Sequence, residues 1–255
     1  VDEAHNLVER SRTMYSAEIQ KSDFLTLKRL VDKKKFGSLY DCLDILDKFL
    51  LETRKNTFEE KQFEIAQKEL PDELVDYLVD FLVPCEVLLN TQDPFPFRDQ
   101  LLDLYYQVSY FIKISQFQLE TDAYAVLMSR HQSNIKIGLN CLNATEMIRE
   151  KIAMGLTTVY FSATLTPVNY FYDLLGGNER DRYVQYPSPF PSENRCICLV
   201  DNISTRYRDR ENTYDLIADY LSIYLKRKQG NYLVFFPSYK YMEEIYERCL
   251  KLVAG

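Results

Sequence analysis

The residues Val1-Asp2-Glu3-Ala4-His5 place two adjacent carboxylates and an imidazole directly after a β-type residue. In open α/β sheets ligands bind outside the carboxyl ends of the strands. One acid there can help hold Mg²⁺ bridging the β- and γ-phosphates of a nucleotide. Its neighbour can orient and deprotonate the attacking water. The same dipeptide is common in surface turns, so it does not decide alone. A second group lies far downstream, where V-Y-F-S-A-T-L-T-P (159–167) reads as a β-rich run ending in Ser162, Ala163 and Thr164. Small hydroxyls at a strand end can hydrogen-bond the acids of a neighbouring strand or touch a nucleic-acid backbone. They equally cap a following helix.

The elements that must position these residues fall into two textures. Leu39, Leu43, Leu46 and Leu50 recur at helical spacing over 37–56, with Ile45 and Phe49 widening the stripe. Thr57 followed by Glu60 forms a capping-box pattern that opens a charged helical stretch over 57–70. Pro71 opens a further helix, which Pro84 is expected to kink or interrupt. Residues 98–119 read as one long helix, so 25–120 form a block of four helices. From 122 the texture changes. Segments 122–131 and 134–142 are short apolar runs expected to pair as strands. A helix over 144–155 ends at Gly155, and V-N-Y-F-Y-D-L-L-G-G is a short helix with a glycine stop. Three prolines within 186–194 mark a linker. R-C-I-C-L-V-D and N-Y-L-V-F-F-P-S (231–238) read as strands, each followed by a helix. Strands alternating with helices predict parallel-sheet α/β layers interrupted by the helical block.

Composition bounds the function. The chain has 255 residues, 46% of them hydrophobic, enough for a substantial core. A formal net charge of −7 argues against a chain-wide basic footprint but leaves room for a local one. No apolar run reaches the roughly 18 residues needed to span a bilayer, and residues 1–10 do not read as a signal peptide. The six cysteines are scattered, with Cys196-x-Cys198 the one close pair, and these two read as buried thiols on a strand. No metal-ligand spacing is present among Cys and His, and a reducing cytoplasm fits the cysteine usage. Most of the 20 Tyr and 15 Phe lie at apolar helix spacing, which assigns them to the core rather than to base stacking.

In this order, D-E-A-H, a strand ending in S-A-T, a Pro-rich stretch and Y-L-V-F-F-P-S-Y-K, the chain resembles the XPD/DinG-like branch of superfamily 2 DNA helicases. V-D-E-A-H-N-L (1–7) is similar to motif II, the DEAH box, and 138–176 is similar to the surroundings of motif III. Segments 188–221 and 230–245 are similar to the start of the second motor domain. The resemblance covers residues 1–20 and 120–255, and it implies RecA-like parallel-sheet motor portions interrupted by an all-α, Arch-like helical insertion. The implied bounds are 1–20 for the first motor domain with motif II and 21–120 for the insertion. The rest of the first motor domain follows over 121–186, and the second begins at 187–255.

By the same resemblance, Asp2 supports Mg²⁺ through water, Glu3 polarises the hydrolytic water, and His5 links the nucleotide site to motif III. Ser162, Ala163 and Thr164 couple nucleotide state to domain closure and the DNA track. A partly buried histidine with a hydrogen-bond partner is the simpler reading of His5. Arg206 and Arg210 in T-R-Y-R-D-R would contact phosphates, since guanidinium matches phosphate geometry, or form a solvated cluster before a helix. Ser238 and Tyr239 stand where a loop of the family approaches the DNA backbone, although Ser238 equally caps a helix. The implied cofactors are ATP and Mg²⁺, the implied partner is single-stranded or forked DNA with 5′–3′ translocation and unwinding, and a monomer is expected. No Gly-x-x-x-x-Gly-Lys-Ser/Thr occurs in these residues. The family places it, and any iron–sulphur cysteines, before motif II, and its late arginine motif after the last residue present here. The expectation is therefore a fragment, inactive by itself, of an active parent. A non-catalytic interaction scaffold is the alternative. A nuclease with metals on Asp2 and Glu3 would need further acids, and only Asp201 offers one.

Overall fold

Tyr124, Val126 and Met128 are buried while the intervening Ala125, Leu127 and Ser129 keep solvent exposure, the period-2 signature of a half-buried strand. The computed structural model describes residues 1–91 and 93–254 and divides into two compact units, Val1–Tyr183 and a second from Val184 onward. The first carries α1 (Leu7–Met14), β1 (Ala17–Gln20), α2 (Lys21–Leu30), α3 (Gly37–Thr57), β2 (Glu64–Gln67) and α4 (Leu74–Leu89). It continues with α5 (Arg98–Glu120), β3 (Tyr124–His131), β4 (Asn134–Cys141), α6 (Thr145–Ala153) and α7 (Val168–Leu174). The second carries α8 (Tyr214–Arg227) and α9 (Tyr239–Ala254).

The expected hairpin of β3 and β4 forms, pairing Tyr124 with Cys141 and His131 with Asn134. It is the centre of a four-stranded sheet ordered β1-β4-β3-β2, all antiparallel. Helices α2, α3 and α5 pack on it, α4 packs on α3 and α5, and all four share one core with the sheet. Phe24, Leu43, Leu78, Phe81 and Phe111 pack in one cluster with Ile19, Val126, Ile137 and Leu139. The largest fully buried side chains include four phenylalanines, but the core role expected for most rings holds only in part: of the tyrosines only Tyr124, Tyr214 and Tyr241 are buried, and many others are exposed.

Three expectations are corrected here. The capping-box stretch after Thr57 is not a helix: α3 runs through Thr57, and Glu64–Gln67 is an edge strand. Pairing of Ile65 with Met128 and of Ala66 with Leu127 overrides the local helical preference. The segment 21–120 is therefore not all-α, since β2 lies within it and β1 adjoins it. Pro84 does not break α4, which is continuous from Leu74 to Leu89. Proline has no N–H to offer the Asp80 carbonyl, and the Cys42 thiol of α3 donates to that oxygen at 3.6 Å. A neighbouring helix thus supplies the missing partner. Burial pushes the Cys42 thiol up, with the Asp80 and Asp41 charges adding to it.

The parallel sheet is also absent among the described residues. R-C-I-C-L-V-D and N-Y-L-V-F-F do not form the expected strands and belong to no sheet. Cys196 and Cys198 are consequently exposed rather than buried. The helices following both runs form as expected, and α8 and α9 close on Tyr214, Ala218, Tyr241 and Ile245. In the first unit, α7 ends as its glycines predict. Gly177 N–H donates to Tyr172 O and Gly176 N–H to Asp173 O, at 2.8 and 3.2 Å, with Gly176 at φ +80°. A Cβ at Gly176 would lie 2.8 Å from Arg149 Cγ, so this left-handed cap requires glycine.

An ion network joins α2 to α3. Lys28 Nζ donates to Asp44 and Asp47 at 2.7 and 3.1 Å, Lys21 meets Asp47 Oδ1, and Lys48 reaches Asp44 at 2.7 Å. Lys28 and then Lys48 hold the Asp44 carboxyl down to about 2. At Asp47 burial opposes ionisation, but Lys21 and Lys28 outweigh it and the net shift is downward. Depressed folded-state values contribute stability above the unfolded carboxylate range and lose it as pH falls through them. The unfolding temperature is therefore expected to drop between about pH 4 and about pH 2. Asp47→Asn should flatten that dependence and cost about 2 kcal/mol at pH 7, less than a fully buried pair because Asp47 keeps some exposure. Calorimetry over a pH series checks both.

Candidate nucleotide-coupling site

The first five residues and the 157–164 run lie side by side. The Val1 amino group donates to Val159 O at 2.7 Å, Phe161 N–H donates to Val1 O at 3.1 Å, and Ala4 N–H donates to Phe161 O at 3.2 Å. Val1 donates to one flank of Tyr160 and accepts from the other, which is the pattern of a parallel bridge. It is a single bridge rather than a sheet. Ala4 and Val8 pack behind it with Leu175, against Tyr160, Leu165 and Phe171. Ala4 is buried completely, which leaves its neighbours Glu3 and His5 to face the downstream motif.

Four of the sequence-predicted residues meet there. His5 Nδ1 lies 2.7 Å from Ser162 Oγ and 3.2 Å from Thr164 Oγ1. Ser162 Oγ donates to Glu3 Oε2 at 3.2 Å and accepts Thr164 N–H at 3.1 Å. Glu3 Oε2 is also 3.2 Å from His5 Nδ1. With the Nδ1–H tautomer, one proton order satisfies the set: imidazole to Ser162, Ser162 to Glu3. The Ser162 hydroxyl is the hub, and its turn geometry comes from its own bond to Thr164 N–H. Ala163 lies exposed between the two hydroxyls and makes no polar side-chain contact, as its type requires.

This arrangement is not a nucleophilic triad. A serine–histidine–acid relay needs the serine on one ring nitrogen and the acid on the other. Here both contacts converge on Nδ1, and Nε2 is left for another partner. Glu3 is held at φ 47°, ψ 45°, a left-handed conformation uncommon outside glycine. Strained residues of this kind cluster at functional sites. Asp2 stands apart from the hub. Its Oδ1 accepts the Glu3 N–H at 2.7 Å, and the residue is exposed. No group of three His, Cys, Asp or Glu able to hold a metal occurs among the described residues. A single carboxylate with free oxygen is nevertheless the donor that Mg²⁺ uses when phosphates and waters complete its shell.

In the second unit the four residues predicted to contact nucleic acid separate by role. Arg210 is half-buried. Its guanidinium sits 5.4 Å from the Tyr207 ring centre and 5.0 Å from that of Tyr241, and Nε donates to Thr205 O at 3.2 Å. Cation–π contacts of this kind hold it as a structural bracket. Arg206 is exposed on the preceding turn. Ser238 Oγ accepts the Tyr241 N–H at 3.3 Å, so it caps α9, and Tyr239 beside it is 82% exposed. Sequence reasoning missed Tyr241 as the partner of Arg210, because nothing in the spacing joins a residue of α9 to the turn before α8. The sequence offered a contact between the strand-end hydroxyls and a neighbouring strand's acids, but did not single out the pair Ser162 and Glu3.

The fold and site define a mixed α/β chain whose acidic N-terminal turn is hydrogen-bonded to a distant Ser-Ala-Thr turn. No protein-family model matches the chain. Among solved structures it is similar to one described as "Structure of S. tokodaii Xpd4", at 16% identity and a TM-score of 0.45. The match covers 97% of this chain and 48% of that one, so the chain spans about half the length of the protein it matches. Among the described residues, no helix is long and apolar enough to cross a membrane.

Proposed function

We propose that these residues supply the acid and coupling parts of an ATP-driven nucleic-acid motor of the DEAH-box helicase kind. The observation that carries the reading is the contact set Glu3–His5–Ser162–Thr164, which joins D-E-A-H to S-A-T across a sequence separation of 157 between His5 and Ser162. Mg²⁺–ATP, when bound, supplies the phosphoanhydride and the charge that activates its γ-phosphoryl group. Asp2 would hold the Mg²⁺ shell through water. Glu3 would orient the attacking water and take its proton. Ser162 shares that same carboxylate, so any shift of the 162–164 turn alters the hydrogen bonding of Glu3 and hence its readiness as a base. His5 fixes the Ser162 rotamer from the other side. The turn thereby reports on the acid, and the acid on the turn, which is the reciprocity a coupled motor needs. Single-stranded or forked DNA is the proposed track, with Arg206 and Tyr239 as contacts at the second unit.

Ser162→Ala tests the reading in the protein produced from its complete reading frame. The variant removes the hub without touching either acid. ATP hydrolysis without DNA should stay within a few-fold of the parent, while stimulation by single-stranded DNA and strand separation should fall at least tenfold. Hydrolysis that responds to DNA as the parent does would overturn the coupling role. Absence of any ATPase activity in the parent would overturn the motor reading.

A further inference from the structure

The outer face of α4 is an apolar ridge that the fold does not use. Val79, Val83 and Val87, spaced i, i+4, i+8, are 45%, 60% and 64% exposed. On α3, Ile45 is 47% exposed and falls between Cys42, which donates to Asp80 O, and Phe49, which packs on the Tyr77 ring. It therefore extends the ridge at the α3/α4 border. Valine is a weak helix former, so helix stability does not account for three of them on an exposed face. An i±4 row is the ridge that a second helix receives in its groove. Val79 to Val87 spans about 12 Å, just over two turns of such a helix.

Charge determines which helix. From Glu69 to Phe97 the sequence has seven carboxylates and no Lys or Arg. By helical spacing Asp76 and Glu86 lie among the valines, and Asp80 borders them. Among the described residues none of these three is in an ion pair. Their unneutralised charge repels phosphate, so this face is not a nucleic-acid track. It equally repels a second copy of itself in a two-fold dimer, where identical patches must meet. We infer that the α4 ridge is a docking site for a basic amphipathic helix of a partner protein. The valines would enter its apolar face, and Asp76, Asp80 and Glu86 would meet flanking Lys or Arg. This is helix-in-groove recognition with electrostatic selection. The inference is independent of the ATPase reading.

The probe is a helical amphipathic Leu/Lys peptide, with its Leu/Glu counterpart as control, titrated by fluorescence anisotropy at physiological salt. The Leu/Lys peptide should bind and the Leu/Glu peptide should not. Val83→Ser should weaken binding about tenfold, as should Asp80→Asn. Glu150→Gln, an exposed carboxylate on α6, should leave it unchanged. All three side chains are exposed, and unchanged melting curves would confirm intact folds. Failure of the Leu/Lys peptide to bind, equal binding of the two peptides, or insensitivity to both α4 variants would overturn the proposal. So would a dimer seen by sedimentation that Val83→Ser dissolves, since the occupant would then be a second copy. Loss of single-stranded DNA binding in Val83→Ser would also overturn it.

Discussion

With Glu3 as the proposed general base, Glu3→Gln is expected to lower kcat for ATP hydrolysis by about 10²–10⁴-fold, the range a positioned general base contributes, with KM for ATP changed little. The substitution keeps size and polarity but removes the proton acceptor. It also disturbs the hub, because an amide oxygen accepts the Ser162 hydroxyl more weakly than a carboxylate does. Stability should hold, since Glu3 is exposed and makes no packing contact in the core. Steady-state kinetics with and without single-stranded DNA, beside a melting curve, separate the alternatives. A purely structural Glu3 would lower the melting temperature and leave kcat alone. Comparison with Ser162→Ala is informative: losing the acid should remove turnover, whereas losing the hub should remove only its response to DNA.

The largest stability effect is expected at Phe81. Its ring is completely buried and meets Phe24 edge-on, with centroids 5.7 Å apart at 79°. That contact ties α4 to α2 in the core shared with the sheet. Phe81→Ala removes the transfer energy of the ring, leaves a cavity between close-packed helices, and forfeits the aromatic pair. The combined cost is about 3–5 kcal/mol. For a unit of this size the unfolding temperature should fall by about 10 °C. Leu119→Ala, on a side chain 84% exposed, is the control and should shift it little. Calorimetry decides, and equal shifts for the two variants would show that the helices do not share one cooperative core with the sheet.

Much of this molecule is legible in the sequence where one element suffices to specify itself. The leucine spacing of 39, 43, 46 and 50 gives α3, and all four are buried. The alternation through 124–141 gives a hairpin, because each strand supplies the other's partner. Legibility fails where the partner is remote. Glu64–Gln67 presents one inward apolar residue among charges, and only Met128 across the ladder makes it a strand. Ala17–Gln20 is the same case against β4. Pro84 misleads because the compensating Cys42 thiol comes from another helix. At the site, D-E-A-H and S-A-T were readable as candidates by residue type. Their meeting at one hydroxyl was not, since the Glu3 backbone must turn left-handed to aim its carboxylate at Ser162.

One small contact has a wide consequence. Ser16 Oγ accepts the Cys141 N–H at 2.9 Å, and β1, which begins at Ala17, pairs with β4, which ends at Cys141. The whole body of helices and sheet thus leaves and rejoins the rest of the unit through two adjacent residues, like a bag drawn shut at its neck. Loop-closure cost grows only slowly with the length enclosed. The body is therefore free to lengthen, shrink or acquire new surfaces over evolutionary time, while the turn that carries Asp2 and Glu3 stays in register with Ser162.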